Sequence, residues 1–245
     1  MAKIKEKNTF TLEEVKKLHF EIDCADMIVN EAEGVTEITV EAEYDETEKY
    51  SCKNDAGKLK VVYRLKKKNR ISDDTDCIVV TIPAGASFEK IKLELGAGRT
   101  DINCKEANFQ KAKFEIGAGK LNVHTLKNQG TLEISVGAGD VKMDHVEATD
   151  TNIECGVGRF ALNGTVNGNL KVDCGIGRCE LLLDADEKGY NYEVSSGLGK
   201  VTINGNRCGG LGSKYSVRNQ NAIGSIELSC GVGSIELTTQ KRIAE

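Results

Sequence analysis

Five basic side chains occupy the same place in a repeated motif, and an aligned row of cations is a chemistry that binds anions. Each of them directly follows a Gly-x-Gly triplet: Arg99, Lys120, Arg159, Arg178 and Lys200. If the motifs stack in register, these residues form a basic stripe that could bind an anionic polymer. The same pattern fits solubilising charges that lie opposite Glu115, Glu154 and Asp173 and extend into water. Both interpretations stay open.

Cysteine is the second residue type here with chemical potential. The chain has nine cysteines, an odd number, and none of them forms a Cys-x-x-Cys pair. The sequence therefore predicts neither a disulfide framework nor a structural zinc site. Cys155 and Cys174 share one inward position in successive motifs, where Cα atoms about 4.8 Å apart would permit a disulfide. We expect buried, reduced thiols at Cys155, Cys174 and Cys230 in a reducing cytoplasm.

Other chemical constellations are less well supported. His124, Asp144 and His145 lie near one repeat position and could hold a metal, although polar turn residues of this kind are usually solvated. No serine, cysteine or lysine has an evident base partner. The outward positions hold no dense carboxylate cluster, and the chain has no tryptophan that could serve as a sugar platform. The sequence thus predicts no catalytic, cofactor-binding or metal-binding residue, and a protein that is not an enzyme.

The motif that positions these residues returns about every twenty residues. Successive first glycines are separated by 21, 20, 19, 19, 22 and 34 residues. A fixed period in this range indicates that one supersecondary unit is copied and stacked. The triplets read GAG three times, then GVG, GIG, GLG and GVG, and they begin at Gly96, Gly117, Gly137, Gly156, Gly175, Gly197 and Gly231.

Apolar and polar residues alternate on both sides of each triplet, as in strands with one buried face. Three residues and one residue before the first glycine are inward positions, and we expect the central residue of the triplet to point inward too. After the second glycine the phase slips, which predicts a corner where glycine supplies the backbone conformation of a bend. If this register holds, Ile176→Asp places an unpaired charge in the core and unfolds the protein.

These observations predict an all-β fold, a single-stranded parallel β-helix or β-solenoid with about 19–22 residues per rung. We expect one continuous domain. Residues 91–245 form its regular rungs, and residues 1–90, which have strand patterns but no triplets, are an irregular β part that caps the same solenoid. The polar, glycine-rich residues 205–222 lie one rung from the C-terminus. With both ends covered, the sequence predicts a monomer or a small closed oligomer.

Composition narrows the class of partner and the compartment. A net charge of −5 gives no support for nucleic-acid binding. No segment approaches the roughly 18 apolar residues of a membrane span, and the N-terminal residues MAKIKEKNTFTLEEV lack the apolar stretch of a secretory signal. We therefore expect a cytoplasmic protein, or a cell-surface protein if a leader is missing from the sequence.

Three features of the sequence resemble those of a known family. The run TIPAGASFEKIKLELGAGRTDI, the glycine-triplet repeats that follow it and the closing NAIGSIELSCGVGSIEL resemble the bacterial "putative adhesin" family of β-solenoid proteins. The resemblance covers roughly residues 10–239. It implies a β-solenoid of unknown function with a name that suggests surface adhesion, and it implies no catalytic or ligand residues.

Three hypotheses on function follow. The first is a non-catalytic β-solenoid interaction protein, adhesin-like or scaffolding, that binds an unknown protein or polysaccharide partner. The second is a self-assembling scaffold that resembles in principle the cytoskeletal bactofilins. The third is a carbohydrate-active β-helix enzyme, since other β-helices cleave polysaccharides with paired carboxylates.

Overall fold

Most of the described chain is β-strand, wound into stacked coils around a narrow apolar core. The computed structural model describes residues 3–66, 76–209, 212 and 214–241. These residues contain twenty-two strands and two short 3-10 helices, Leu12–Glu14 and Glu187–Gly189. No helix in the described ranges is long and apolar enough to cross a membrane.

The strands fall into three groups along the chain. The N-terminal group is β1 (Lys3–Thr11), β2 (Lys17–Cys24), β3 (Asp26–Ala32), β4 (Glu37–Asp45), β5 (Lys49–Asp55), β6 (Lys58–Arg64), β7 (Cys77–Pro83), β8 (Ser87–Phe88) and β9 (Lys90–Ala97). The middle group is β10 (Arg99–Ile116), β11 (Lys120–Val136), β12 (Asp140–Ala148), β13 (Asp150–Cys155), β14 (Arg159–Val166), β15 (Leu170–Cys174) and β16 (Arg178–Leu183). The C-terminal group is β17 (Tyr190–Ser196), β18 (Lys200–Ile203), β19 (Asn206–Gly209), β20 (Lys214–Val217), β21 (Gly224–Cys230) and β22 (Ser234–Thr239).

Successive rungs pair through parallel strands in register. Leu93 pairs with Phe114, Phe114 with Ile134, and Ile134 with Ile153, and all four side chains are buried. The inward positions after the triplets behave in the same way, since Val141 pairs with Phe160 inside the coil. These pairings confirm the predicted all-β parallel solenoid, in which each layer buries one short apolar face of every strand.

The central residue of each triplet points outward, so the predicted register was wrong at this position. Val157 and Ile176 are each 64% exposed, Leu198 is 70% exposed and Val232 is 59% exposed. The inward position instead passes to the second glycine, which has no side chain to place there. The phase slip therefore occurs inside the triplet rather than after it, and the expected unfolding by Ile176→Asp no longer follows.

The glycines are needed for close stacking and not for an unusual backbone conformation. Of the second glycines, only Gly98 has a positive φ, 95°. A Cβ on Gly139 would lie 2.5 Å from the carbonyl oxygen of Gly119 and 2.9 Å from Cγ2 of Ile116. A Cβ on Gly137 would lie 2.9 Å from the carbonyl oxygen of Gly117. The corner carbonyls and the inward side chain of one rung thus occupy the space beside the glycines of the next.

Rungs begin before the first triplet. β2 pairs in parallel with β9, and β3 pairs in parallel with the first part of β10. At this corner Gly96 lies against the carbonyl of Asp23, and Gly98 lies against that of Ala25. Parallel β6 and β7 then cover β2 and β3. Antiparallel β5 covers β6, and antiparallel β4 and β1 follow outside β7. That residues 1–90 cap the solenoid stays a prediction.

The last two rungs do not stack in chain order. β21 and β22 pair with β15 and β16, whereas β17 and β18 lie outside them, on β21 and β22. The polar segment predicted near this end forms β19 and β20, which pair antiparallel with β18 and β17. This polar segment covers the outermost rung, which is the rung that contains Gly197. The rung that contains Gly231 lies one layer further in. A deletion of the chain after Gly224 would therefore remove an inner rung and not only expose an end.

Gly139→Ala tests the stacking constraint. We expect it to lower the free energy of unfolding by about 1–3 kcal/mol, because the new methyl group meets backbone that cannot move without separating two rungs. The matched control is Gly189→Ala, where a Cβ has nothing within 4 Å. The control should change the free energy by about 0.5 kcal/mol or less. Urea denaturation measures both variants, and equal stabilities would contradict the constraint.

A second pair of variants tests the orientation of the triplet. Ile176→Asp should change the free energy of unfolding by about 0.5 kcal/mol or less, because the side chain already faces water. Val172→Asp, four residues earlier on the fully buried column, should cost more than about 4 kcal/mol. Thermal and urea unfolding distinguish the two. If Ile176→Asp is as disruptive as Val172→Asp, the central residue faces the core.

Candidate functional site

The corner formed by the stacked triplets carries a ridge of central residues along one edge of the solenoid. In stacking order these residues are Ala97, Ala118, Ala138, Val157, Ile176, Val232 and Leu198. The ridge thus grows from alanine at its N-terminal end to large aliphatic side chains at its C-terminal end. We use the name triplet ridge for its last four members, all of which are exposed. With rungs about 4.8 Å apart, these four side chains span about 14 Å.

Backbone hydrogen bonds hold the ridge rigidly although its side chains face solvent. The N–H group of Ile176 donates to the carbonyl of Gly156 over 2.8 Å, and the N–H group of Val232 donates to that of Gly175 over 2.8 Å. Leu198 donates in the same way to Gly231 over 2.8 Å. The backbone of the corner is therefore a continuation of the sheet ladder and not a free loop.

The predicted basic residues lie in one column beside the ridge, but the column is interrupted. Arg99 pairs with Lys120, and Arg159 pairs with Arg178, while Asp140 separates these two pairs. Ser234 separates Arg178 from Lys200. The structure thus brings the five residues onto one side of the triplet corner without making them a continuous stripe.

Acidic neighbours neutralise the three arginines of this column. An Nη2 atom of Arg159 lies 2.8 Å from a carboxylate oxygen of Asp140, and Nε of Arg178 lies 2.5 Å from Glu180. Nε of Arg99 lies 2.7 Å from Asp101. Burial alone would raise the pKa of Asp101, but hydrogen bonds from Arg99 and Asn122 outweigh it and lower that pKa.

Lys120 and Lys200 are the column's other two cations, and neither forms an ion pair with a described residue. A shallow depression of about 350 Å³ lies between the basic column and the central triplet residues Ala118 and Ala138, which precede the triplet ridge in the stack. Lys120, Arg159 and Asp140 line it together with alanines, Val157 and four glycines. Polar and apolar atoms therefore meet at this corner, which suits a binding surface.

A charged network on the outer face of the N-terminal strands was not singled out from the sequence. Nε2 of His19 lies 3.3 Å from Glu21 and 3.5 Å from Glu94. Burial lowers the pKa of His19, and the hydrogen bond to Glu94 opposes that effect. Lys60 and Arg64 approach Glu21 to 2.5 and 2.6 Å. Because these cations already neutralise Glu21, the network fits a structural ion-pair cluster better than a metal site.

The alternation of acids and bases in the sequence is the signal that could have found this network. β2 carries His19 and Glu21 on its outward face, and β6 carries Lys60 and Arg64 on the same face of the next layer. Parallel pairing in register brings these opposite charges together. The sequence alone does not show which strands become neighbours, so the network could not be predicted from it.

The metal set considered from the sequence is not brought together. Nε2 of His124 lies 3.8 Å from Asp101, and Asp144 forms an ion pair with Lys142 over 2.7 Å. His145 has a positive φ of 50°, as expected of a polar turn residue. His124 and Asp144 have partners other than each other, so the arrangement does not favour a metal.

Three cysteines meet inside the corner instead. Cys155 and Cys174 pair across adjacent rungs, as the sequence predicts, and Cys174 pairs in turn with Cys230. Cys179, on the strand after the corner, completes a group with Cys155 and Cys174 whose sulfur atoms all lie within 4.8 Å of one another. All three side chains are buried and their thiols are free. Cys179 was not predicted as part of this group.

Contacts among the thiols separate their acidities. The neighbouring Cys174 and Cys179 side chains lower the pKa of Cys155. The same contacts raise the pKa values of Cys174 and Cys179. As a thiol, Cys155 has its own acceptor, since its sulfur lies 3.3 Å from the carbonyl oxygen of Gly158. Sulfur of Cys174 lies 3.2 Å from the carbonyl oxygen of Gly177.

Known structures share this architecture. A "putative lipid binding protein" from Parabacteroides distasonis ATCC 8503 is 15% identical, with a TM-score of 0.52 and 96% of each chain covered. A "putative adhesin" from Bacteroides fragilis NCTC 9343 is 12% identical, with a TM-score of 0.50, 96% of this chain and 97% of that chain covered. A "putative cell adhesion protein" from Clostridium sporogenes ATCC 15579 is 16% identical, with a TM-score of 0.44, 98% and 100% covered.

Identities this low show a shared fold alone. No curated protein matches the sequence. The resemblance to the "putative adhesin" family is nevertheless confirmed, because a family match and the Bacteroides fragilis structure agree with it. The family match, described as Toastrack DUF4097, spans residues 15–229. Since this match covers most of the sequence, the chain belongs to the Toastrack DUF4097 family.

Proposed function

We propose that the protein is a non-catalytic interaction module that binds its partner with the triplet ridge and the adjoining basic column. One observation carries this proposal: four large aliphatic side chains face water on consecutive rungs, held by a backbone ladder. Isolated exposed apolar residues are ordinary on protein surfaces, whereas an aligned row of them is typical of interaction sites.

The energetics of the ridge suit binding. Covering one Val, Leu or Ile side chain contributes about 1.5–3 kcal/mol. The hydrogen-bonded corner also fixes the spacing of these side chains before a partner arrives, which reduces the entropy lost on association. Lys120 and Lys200 would add attraction to an anionic partner at the rim. This combination supports a protein or polysaccharide partner with an apolar strip bordered by acidic groups.

The similar structures are compatible with such a role. The Bacteroides fragilis protein is described as a "putative adhesin" and the Parabacteroides distasonis protein as a "putative lipid binding protein". Both descriptions concern binding and not catalysis. We therefore include lipid surfaces among the partners to be tested. The free thiols agree with a reducing compartment, and the cytoplasm is the location we propose.

A carbohydrate-active enzyme is the weaker alternative. Such an enzyme needs a carboxylic acid and a carboxylate that converge on one cleft. At the triplet corner Asp140 is paired with Arg159. On the neighbouring face a hydrogen bond from Lys113 lowers the pKa of Glu115, opposite to the shift that a general acid requires. Glu115 is therefore not suited to donate a proton at neutral pH.

End-to-end assembly is the other alternative, and the terminal strands argue against it. β1 lies outermost at one end and exposes Lys5 and Lys7, which form ion pairs with Glu43 and Glu41. Charged side chains on an edge strand discourage pairing with another chain. At the other end β19 and β20 are four residues each, which leaves little edge to extend.

Replacing Ile176, Leu198 and Val232 together with serine tests the proposed surface. The parent protein is screened against immobilised polysaccharides, anionic lipid vesicles and cell-envelope proteins, and affinity is measured for the partner that binds. We expect the triple variant to bind at least about 30-fold more weakly, since it loses about 2 kcal/mol of apolar burial.

The control is Ile223→Ser, which removes a side chain that is 63% exposed but lies off the ridge. It should bind like the parent, and circular dichroism should show all variants folded. A triple variant with parental affinity would contradict the proposed surface. A parent that binds none of the probes but releases reducing ends from a polysaccharide would favour the enzyme alternative.

The state of assembly provides a second test. We expect the full-length chain to be a monomer or a small closed oligomer at physiological salt, because both terminal rungs are covered by charged or short strands. Light scattering coupled to size-exclusion chromatography should give a mass that does not grow with concentration. Filaments of the intact chain in electron micrographs would instead support the self-assembling scaffold.

A further inference from the structure

We propose that the buried thiols of Cys155, Cys174 and Cys179 form a binding site for one soft, monovalent metal ion of the Cu(I) type. The inference rests on the convergence of these three sulfur atoms, which the repeat pattern by itself does not require. Stacking accounts for Cys155 above Cys174, since both belong to the position before the triplet. Cys179 comes from the strand beyond the corner, on which other rungs place Phe160 or Ile235.

The geometry needs little adjustment. The three sulfur atoms lie within 4.8 Å of one another. Metal–sulfur bonds of about 2.3 Å require sulfur atoms about 4 Å apart around a three-coordinate centre. A shift of less than about 1 Å in each side chain would therefore close the site.

The donor set selects the class of ion. It consists of sulfur alone, and the hydrogen-bonding groups close to these sulfur atoms belong to the backbone. They include the carbonyls of Gly158, Gly177 and Ser234 and the backbone of Arg178. Soft thiolate ligands favour Cu(I), Zn(II) and iron–sulfur clusters. Structural zinc is almost always four-coordinate, and Cys230, the next cysteine in the stack, is not within the mutual 4.8 Å group. Three sulfur donors without a fourth ligand suit Cu(I) better.

Metal binding releases protons, because thiolates and not thiols ligate the ion. Cu(I) bound by three sulfur atoms displaces three thiol protons, which leave to solvent. The site then holds three thiolate charges against the single charge of Cu(I). No electron is transferred, and copper enters and stays as Cu(I).

The test supplies Cu(I) alone to the full-length chain, anaerobically and with excess reductant, as its complex with a chromogenic chelator. The more accessible cysteines, Cys24, Cys52, Cys77 and Cys208, are first replaced with serine so that they cannot bind copper. We expect one copper per chain after desalting, with X-ray absorption showing three sulfur ligands at about 2.3 Å.

Cys179→Ala in this background should retain at most a tenth of that copper. Cys104→Ala, which removes another fully buried cysteine away from the group, should retain all of it. If Cys179→Ala does not fold, Cys155→Ala takes its place. The number of sulfur ligands that X-ray absorption gives for copper in the parent still tests the proposal. Three outcomes would overturn the proposal: less than roughly a tenth of one copper per parent chain, oxygen or nitrogen ligands to copper, or equal copper losses in the two variants.

Discussion

The contact on which this fold depends is the one between the second glycine of a triplet and the rung beneath it. The carbonyl of the preceding second glycine and the side chain just before the preceding triplet both occupy the space that a Cβ would need. At Gly119 that side chain is Leu95, at Gly158 it is Val136 and at Gly177 it is Cys155. Each rung can approach the next closely enough for unbroken hydrogen bonding only because glycine leaves this space open. The corner therefore sets the period, the register and the direction of the side chains around it.

The outward direction of the central residue follows from the same constraint. Once the second glycine takes the inward place, the residue between the glycines has no room inside and turns to solvent. Its identity is then free of core packing, so the position can change from Ala97 to Leu198 along the solenoid without altering the fold. A position that is rigid in its backbone and free in its side chain is suited to recognition. The residue just before a triplet points inward and packs against the second glycine of the next rung, which restricts its side chain. Cysteine occupies this position three times.

Much of the architecture could be predicted from the sequence, because alternation and period are local properties. The buried columns of Leu93 and of Phe160 followed from them, as did the pairing of Cys155 with Cys174. The direction of Ile176 did not, since a phase slip placed before or after the central residue leaves the flanking columns unchanged. Only the stacking distance at the glycines distinguishes the two.

Which distant strands lie next to each other could also not be predicted from the sequence. The Gly231 rung inserts between those of Gly175 and Gly197, and similar repeats give no sign of which one lies inside. For the same reason Cys179 was missed, because its approach to Cys155 depends on the angle of the corner. The basic column was predicted by position, but not Asp140 or the acids that neutralise its arginines.

Amide hydrogen exchange at the triplet corner tests most directly whether the ridge is a rigid continuation of the sheets. The N–H groups of Val157, Ile176 and Val232 each donate to a carbonyl of the adjacent rung over 2.8 Å, although their side chains face water. The structure predicts that these amides exchange as slowly as those of the flanking strands, near the limit set by global unfolding. Exchange at the rate of an unstructured loop would mean that the triplets are flexible turns, and that glycine stacking does not hold the solenoid together.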